Sequence, residues 1–168
     1  ICTRSCAFCQ VEKGKSPEKV NIFEAEKVAN AVKILNLKYV VLTAVARDDL
    51  PDHGASLFTT TMGSIRSLNP GVAIEVLTPD FWGGNNKDNV AKQRERLKLV
   101  LSANPICFNH NLETVKRLQR EVRRGATYEH SLNLLKFARE IDPNIPTKSG
   151  IMLGLGEKFH EIVETLKD

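Results

Sequence analysis

The stretch Lys38-Tyr39-Val40-Val41-Leu42-Thr43 is a nearly unbroken run of β-branched, aromatic and aliphatic residues. A run of this kind, without polar alternation, is the pattern of a strand covered on both faces, as in parallel sheets. Just before it, Val28, Ala29, Val32 and Leu35 recur at helical intervals over 24–35. A helix leading into a two-sided apolar strand is the first half-turn of an α/β fold.

The alternation then repeats. A polar loop at 47–52, a helix over about 56–68, a break at Asn69-Pro70-Gly71 and a strand at 72–77 make a second step. A loop rich in Gly and Asn at 81–86, a charged helix over about 89–102 and a strand at 106–110 make a third. Two helices follow, over about 112–122 and 128–141, the second ended by Pro143 and Pro146. A strand at 147–153 and a last helix over about 159–167 complete the chain. Repeated units of this kind predict parallel strands joined by right-handed crossovers, in a doubly wound sheet or in part of a (β/α)8 barrel. Only four strands are readable, and Ile1 opens directly onto a cysteine-rich loop. The expected fold is therefore α/β, a partial (β/α) TIM-type barrel with parallel strands, truncated at both ends, with one incomplete core domain over 1–168. Each polar motif follows a strand, which is where parallel α/β folds place their sites.

Composition sets outer bounds. Hydrophobic residues make up 42% of the 168, and with the ten glycines the apolar share is that of an ordinary globular domain. No run approaches the ~18 apolar residues of a membrane span, and no basic-then-apolar leader opens the chain. Free thiols without an export signal point to the cytosol, or to a mitochondrion or plastid in a eukaryote. The net charge of +4, from 24 Lys and Arg against 20 Asp and Glu, is scattered along helices. The densest basic stretches, 92–98 and 120–124, are interleaved with acids at helical spacing, the pattern of solvated faces. Neither a nucleic-acid partner nor a membrane is expected.

Three of the four cysteines lie in Cys2-Thr3-Arg4-Ser5-Cys6-Ala7-Phe8-Cys9, a C-x3-C-x2-C spacing with no fourth ligand nearby. Three thiolates on one loop can hold three corners of a cubane 4Fe–4S cluster and leave the fourth iron open for a small molecule. A fourth cysteine would close the site, as closed zinc sites are structural and open ones catalytic. Zinc remains an alternative, although the next candidate ligands, His53 and Cys107, are far downstream. A disulfide framework has no sensible pairing among three crowded thiols and one distant one.

Two further stretches carry chemistry. Gly150-Ile151-Met152-Leu153-Gly154-Leu155-Gly156-Glu157 follows a G-x-I-x-G-x-x-E pattern with Met152 for Ile, whose glycines let backbone approach a flat ring closely. Taken alone it reads more readily as a tightly packed strand-to-helix turn. Asn109-His110-Asn111-Leu112-Glu113-Thr114 reads alone as a strand end followed by a helix start, with Glu113 favouring the helix dipole.

The cysteine spacing resembles the signature of the radical S-adenosylmethionine superfamily. Together with Tyr39 to Thr43, Arg47-Asp48-Asp49-Leu50-Pro51-Asp52, Glu75-Val76-Leu77-Thr78-Pro79-Asp80-Phe81, Phe108 to Val115 and Thr147 to Glu157, it resembles the lipoyl synthase family over essentially all 168 residues. The pairing of the stretches at 47–52 and 108–115 separates it from biotin synthase-like sulfur inserters, whose fourth strand is similar but whose second is not; a zinc-stabilised binding module is the alternative of a different class. The resemblance implies a sulfurtransferase in which a cluster on Cys2, Cys6 and Cys9 binds S-adenosylmethionine and reduces it to a 5'-deoxyadenosyl radical. That radical abstracts hydrogens from carbons 6 and 8 of an octanoyl chain on a carrier-protein lysine, and an auxiliary 4Fe–4S cluster supplies the sulfurs. The protein would position and shield a cofactor that performs the hard step. It implies ribose contacts from Asn111 and Glu113, a methionine-carboxylate contact from Arg123, or else Arg124, and nucleotide contacts from Thr43 and Met152. The implied partners are octanoylated lipoyl-carrier domains of 2-oxoacid dehydrogenases and the glycine cleavage H protein, with a flavodoxin or ferredoxin-type reductant.

This sequence departs from the family at several positions. Thr43-Ala44-Val45-Ala46 replaces Thr-Ser-Val-Asp, removing a hydroxyl and a carboxylate where the methionine amine is received. Lys158 replaces Thr, and Cys107 replaces Val as a small hydrophobe rather than a ligand. No cysteine set for the auxiliary cluster is present. Of the histidines, His130 and His160 are expected on solvated helix faces, and His53 in a loop where the family often has Gly. His110 at its strand end is either structural or a contact to cofactor or substrate.

Overall fold

The computed structural model describes residues 1–15, 20–82 and 90–168. Pro17, loop residues 83–86 and the expected helix start at Asn89 lie outside the described residues. Four strands, β1 (Tyr39–Thr43), β2 (Ala73–Leu77), β3 (Cys107–Asn109) and β4 (Thr147–Lys148), pair in parallel and in sequential order. The helices are α1 (Glu24–Ile34), α2 (Ala55–Leu68), α3 (Val90–Leu101), α4 (Gln119–Val122), α5 (Tyr128–Ile141) and α6 (Phe159–Lys167), with a 3₁₀ turn at Lys116–Leu118. Helix α1 packs on α2, α2 on α3, and α3 on α5. A doubly wound sheet reverses its strand order at a switch point. Here the order never reverses and the helices follow one another in a single layer, which makes the sheet an arc of a barrel.

The core lies between sheet and helices. Ile74, Val76 and Phe108 are buried against Phe58, Met62, Ile65, Leu97, Val100, Leu134 and Ala138, with Val40 and Leu42 packed alongside. These strand residues alternate with ones on the opposite, inner face. The expectation that the first strand is covered on both sides fails there: Tyr39 and Val41 are 49% and 47% exposed. No layer covers the inner face of β1 among the described residues, so its unbroken apolar run reflects strand propensity as much as burial.

On the inner face Glu75 is only 2% exposed, and it collects one donor from each of the other three strands. Tyr39 donates its hydroxyl at 2.5 Å, Asn109 its amide at 3.0 Å and Lys148 its ammonium at 3.0 Å. Burial pushes the Glu75 carboxyl up, but these donors outweigh it and hold its pKa below the usual carboxylate range.

Two elements differ from expectation. The helix expected over 112–122 is confined to the 3₁₀ turn and the four residues of α4, because Glu113 adopts a left-handed φ of 67° and Val115 is extended with ψ 157°. Neither conformation continues a helix. The strand expected over 147–153 is regular only at Thr147–Lys148; beyond it a single bridge joins Ile151 to Glu113. Close approach explains Gly150, since a Cβ there would lie 3.1 Å from Asn111 Oδ1.

Phe108 is fully buried in the central strand β3. Phe108→Ala should destabilise the fold by about 3–5 kcal/mol, the usual cost of an emptied aromatic site, read from the urea midpoint at constant m-value. A loss below about 1 kcal/mol would place the core elsewhere.

Candidate active site

The segments after β1, β2 and β3 and the cysteine loop line an open cavity of about 430 Å³. The loop is held by backbone pairing: Cys2 bridges to Lys13, its N–H donates to Glu12 and its carbonyl accepts from Gly14. Farther along, the Thr3 N–H donates to the Ala46 carbonyl at 3.1 Å and the Ala7 N–H to the Val122 carbonyl at 2.8 Å. The Arg4 side chain, 9% exposed, completes the docking. It donates through Nε and Nη2 to Asp48, through Nη2 to Asp80 Oδ1 at 2.9 Å, and through Nη1 to the Gly125 carbonyl. Gly125 has φ 88°, and a Cβ there would stand 3.0 Å from Arg4 Cδ, so glycine is required twice over.

Cys2, Cys6 and Cys9 all line the cavity, with Thr43, Asn111, Glu113 and Arg123. Seven of the eight expected site residues thus meet in one place, although their sequence positions span more than a hundred residues. Met152 is outside the lining; its N–H donates to the Glu113 carbonyl at 2.8 Å, so it reaches the cavity only by steadying Glu113. Gly154 and Gly156 are exposed and lie away from the cavity, where the Glu157 carboxylate accepts from the Gly154 and Leu155 N–H groups. Arg124 is exposed and outside the lining, which leaves Arg123 as the cavity cation of that pair.

All four cysteines are free, and Cys107 stands on β3 outside the cavity. Burial pushes the Cys6 thiol up, against the pull of the Arg123 cation, so it is protonated near neutral pH and must release a proton to bind metal. Among the described residues no three His, Cys, Asp or Glu side chains stand at single-ion geometry. A cubane spreads its thiolates over three irons, so it calls for three sulfurs around a cavity rather than around a point. The cysteine loop meets that requirement, and the donor set fits a 4Fe–4S cluster with one iron open.

Arg123 is 7% exposed. Its hydrogen-bond partners, Ser131 Oγ at 2.6 Å and His110 Nε2 at 3.1 Å, are neutral. Burial lowers its pKa, opposed by the more distant carboxylates of Asp80 and Glu113. Glu113 is pushed up by burial and drawn down by Arg123 and by a hydrogen bond from Asn111. Its left-handed backbone is the kind of local strain that clusters at functional sites. His110 is fully buried and outside the cavity lining, so it is not a cofactor or substrate contact. Burial, then the Arg123 cation, lowers its pKa to about 4. His130 is not solvated as expected: it stacks on Trp82 with ring centroids 3.5 Å apart. His53 takes a left-handed φ of 54°, in keeping with a position that favours Gly.

Missing from the expected site are Arg4, Asp48, Asp80 and Thr78. Asp80 and Thr78 line the cavity, and the Thr78 hydroxyl is buried without a partner. A charged residue between two candidate ligand thiols was the available signal for Arg4.

A parallel barrel arc whose strand ends hold a three-cysteine loop is the architecture of a radical enzyme. Residues 1–168 match the Radical SAM superfamily, and the chain belongs to it. Among curated relatives, it is 67% identical over its whole length to lipoyl synthase 2 of Parasynechococcus marenigrum, covering 57% of that protein. It is 66% identical over its whole length to lipoyl synthase 2 of Prochlorococcus marinus, covering 56% of it, and 58% identical over 99% of its length to that of a Nostoc species, covering 55%. The chain therefore spans somewhat over half the length of these relatives. Among solved structures, methylornithine synthase superposes on 99% of the chain and 46% of its own with a TM-score of 0.68 at 16% identity. A cobalamin-dependent S-adenosylmethionine radical enzyme covers 86% of the chain and 21% of its own with a TM-score of 0.53 at 14% identity. These two likenesses confirm the fold.

Arg4→Met should cost about 3–5 kcal/mol in urea unfolding, because Asp80 and Asp48 would be left without their cation. A loss within experimental error would show that the guanidinium does not hold the loop. For His110 the sign is set by its lowered pKa. As pH falls from 6.5 to about 4 the unfolded chain takes up a proton that the folded chain refuses. Stability is therefore full above 6.5 and falls by on the order of 3 kcal/mol across that window. His110→Gln lacks this dependence, so the stability gap between wild type and variant should narrow between pH 7 and pH 5. A constant gap would mean that His110 titrates normally.

Proposed function

We propose that this chain is the radical-generating core of a lipoyl synthase. The observation that carries this reading is the convergence of Cys2, Cys6 and Cys9 with Asn111, Glu113 and Arg123 on one cavity. The 58–67% identity to proteins named lipoyl synthase 2 supports the choice within the superfamily.

Cys2, Cys6 and Cys9 would hold a 4Fe–4S cluster at the wall of this cavity. A cluster held there would supply the electron for cleaving S-adenosylmethionine, and with it the oxidising power needed to remove hydrogens at carbons 6 and 8 of an octanoyl chain on a carrier-protein lysine. The chain's own residues bind and orient. Arg123 presents a buried, locally uncompensated cation to the methionine carboxylate, a charge-assisted contact for which a planar fork is well shaped. Asn111 and Glu113 face the ribose hydroxyls, and the strained backbone of Glu113 is fixed by Gly150 and Met152 on the adjoining segment. Thr43 donates its hydroxyl to the Leu77 carbonyl, which leaves its oxygen as an acceptor for the amine. Phe8, Val11, Val45 and Leu77 give the cavity apolar walls.

Sulfur insertion draws on a second cluster, and the one thiol outside the loop, Cys107, cannot hold it. The carriers would be octanoylated lipoyl domains and the glycine cleavage H protein, with a flavodoxin or ferredoxin-type donor, in the cytosol or an organelle.

Anaerobic reconstitution with iron and sulfide should give a brown protein with about four irons per chain. Changing Cys2, Cys6 or Cys9 to Ala should abolish the colour, and Cys107→Ala should keep it. On the loaded protein, Arg123→Ala and Glu113→Ala should each weaken S-adenosylmethionine binding by about 1.5–3 kcal/mol, measured by calorimetry. A colourless protein carrying one zinc would overturn the cluster, and unchanged affinity in both variants would overturn the nucleotide contacts.

A further inference from the structure

Arg123 lines the cavity and closes a polar triangle with two residues that do not. His110 Nδ1 is 2.7 Å from the Thr78 carbonyl, which can only accept, so Nδ1 carries the proton and Nε2 presents a lone pair. That lone pair faces Arg123 Nη2 at 3.1 Å and Ser131 Oγ at 3.0 Å. Arg123 Nη1 donates to the same Ser131 oxygen at 2.6 Å, leaving the Ser131 hydroxyl hydrogen for His110. Both His110 and Ser131 are fully buried, and neither lines the cavity. Their influence on a ligand must pass through Arg123.

The chemistry of the two acceptors bears on what Arg123 can do. A carboxylate in this position would bind a guanidinium more strongly, but it would spend the charge. Imidazole and hydroxyl fix both terminal nitrogens while leaving the full positive charge for an incoming anion. Burial and the neighbouring cation keep His110 neutral, which preserves its role as acceptor. Fixing Nη1 and Nη2 sets the plane of the guanidinium, and recognition of a carboxylate by a planar fork tolerates only small errors in that plane. The triangle is itself anchored at both ends. Thr78 follows β2, with its N–H donating to the Asn109 carbonyl, and Ser131 lies in the first turn of α5.

We propose that His110, together with Ser131, is a positioning residue that fixes the guanidinium plane of Arg123 toward the methionine carboxylate of S-adenosylmethionine. This rests on the assignment of Arg123 made above.

The experiment compares binding of S-adenosylmethionine and its decarboxylated analogue to the anaerobically cluster-loaded protein by calorimetry. Wild type should prefer the carboxylated ligand, and His110→Phe should reduce that preference by about tenfold, the scale of one charge-assisted contact, while leaving affinity for the analogue nearly unchanged. His110→Gln, whose amide oxygen can serve as the acceptor, should restore most of the preference. Ser131→Ala should reduce it in the same direction as Phe, and it decides the matter should His110→Phe fail to fold. Equal loss for both ligands in the folded variants would mean a merely structural role and would overturn the inference, as would no loss at all. Arg123→Ala separates the two levels. If it keeps the wild-type preference, the carboxylate assignment falls and takes the inference with it. If it loses the preference while His110→Phe and Ser131→Ala keep it, only the inference falls.

Discussion

The guanidinium of Arg4 is shared between carboxylates that belong to different strand ends, Asp48 after β1 and Asp80 after β2, and it also meets the Gly125 carbonyl ahead of α5. Only an arginine suits this place, because it needs a permanent charge and a fork of donors spread over three partners. Against an apolar alternative, a buried ion cluster of this kind adds little net stability. What it does fix is where the cysteine loop lies. Without it the loop would keep its pairing to 12–14 and the bonds of Thr3 to Ala46 and Asp48, but lose its ties to Asp80 and Gly125.

The two buried arginines of the site divide their labour. Arg4 is compensated by two carboxylates and serves the architecture, whereas Arg123 is held by neutral acceptors and keeps its charge for use. Asp80 stands between these roles, bonded to Arg4 and acting on Arg123 through space. The arrangement lets a buried cation line the cavity without collapsing onto a local carboxylate. Polar groups on the inner face farther down the sheet are treated differently: Glu75 is saturated by three donors and locks strand to strand.

Much of this was legible in the sequence, for identifiable reasons. Strand–helix alternation reads well because residues such as Ile74, Val76 and Phe108 must alternate toward one helical layer. The cysteine loop reads well because its three thiols crowd into a short span. The helix at 112–122 did not, because the left-handed conformation of Glu113 is imposed by its contacts with Gly150 and Met152 across the sheet, and nothing local in Asn-Leu-Glu-Thr announces it. His110 and Ser131 were opaque for the same reason. They lie 21 positions apart and become partners only once α5 is laid beside β3.

The separations bridged by Arg4 also bear on the order of assembly. Its bonds reach 44, 76 and 121 positions along the chain, while the sheet grows by neighbouring units that need only short closures. Strands β1 to β3 and their helices can thus form before the cysteine loop has anything to dock on. Until then its three thiols are loosely tethered and open to oxidation. The loop thus settles on a sheet rim that is already formed, and any metal held by its thiols would add to the incentive for it to settle.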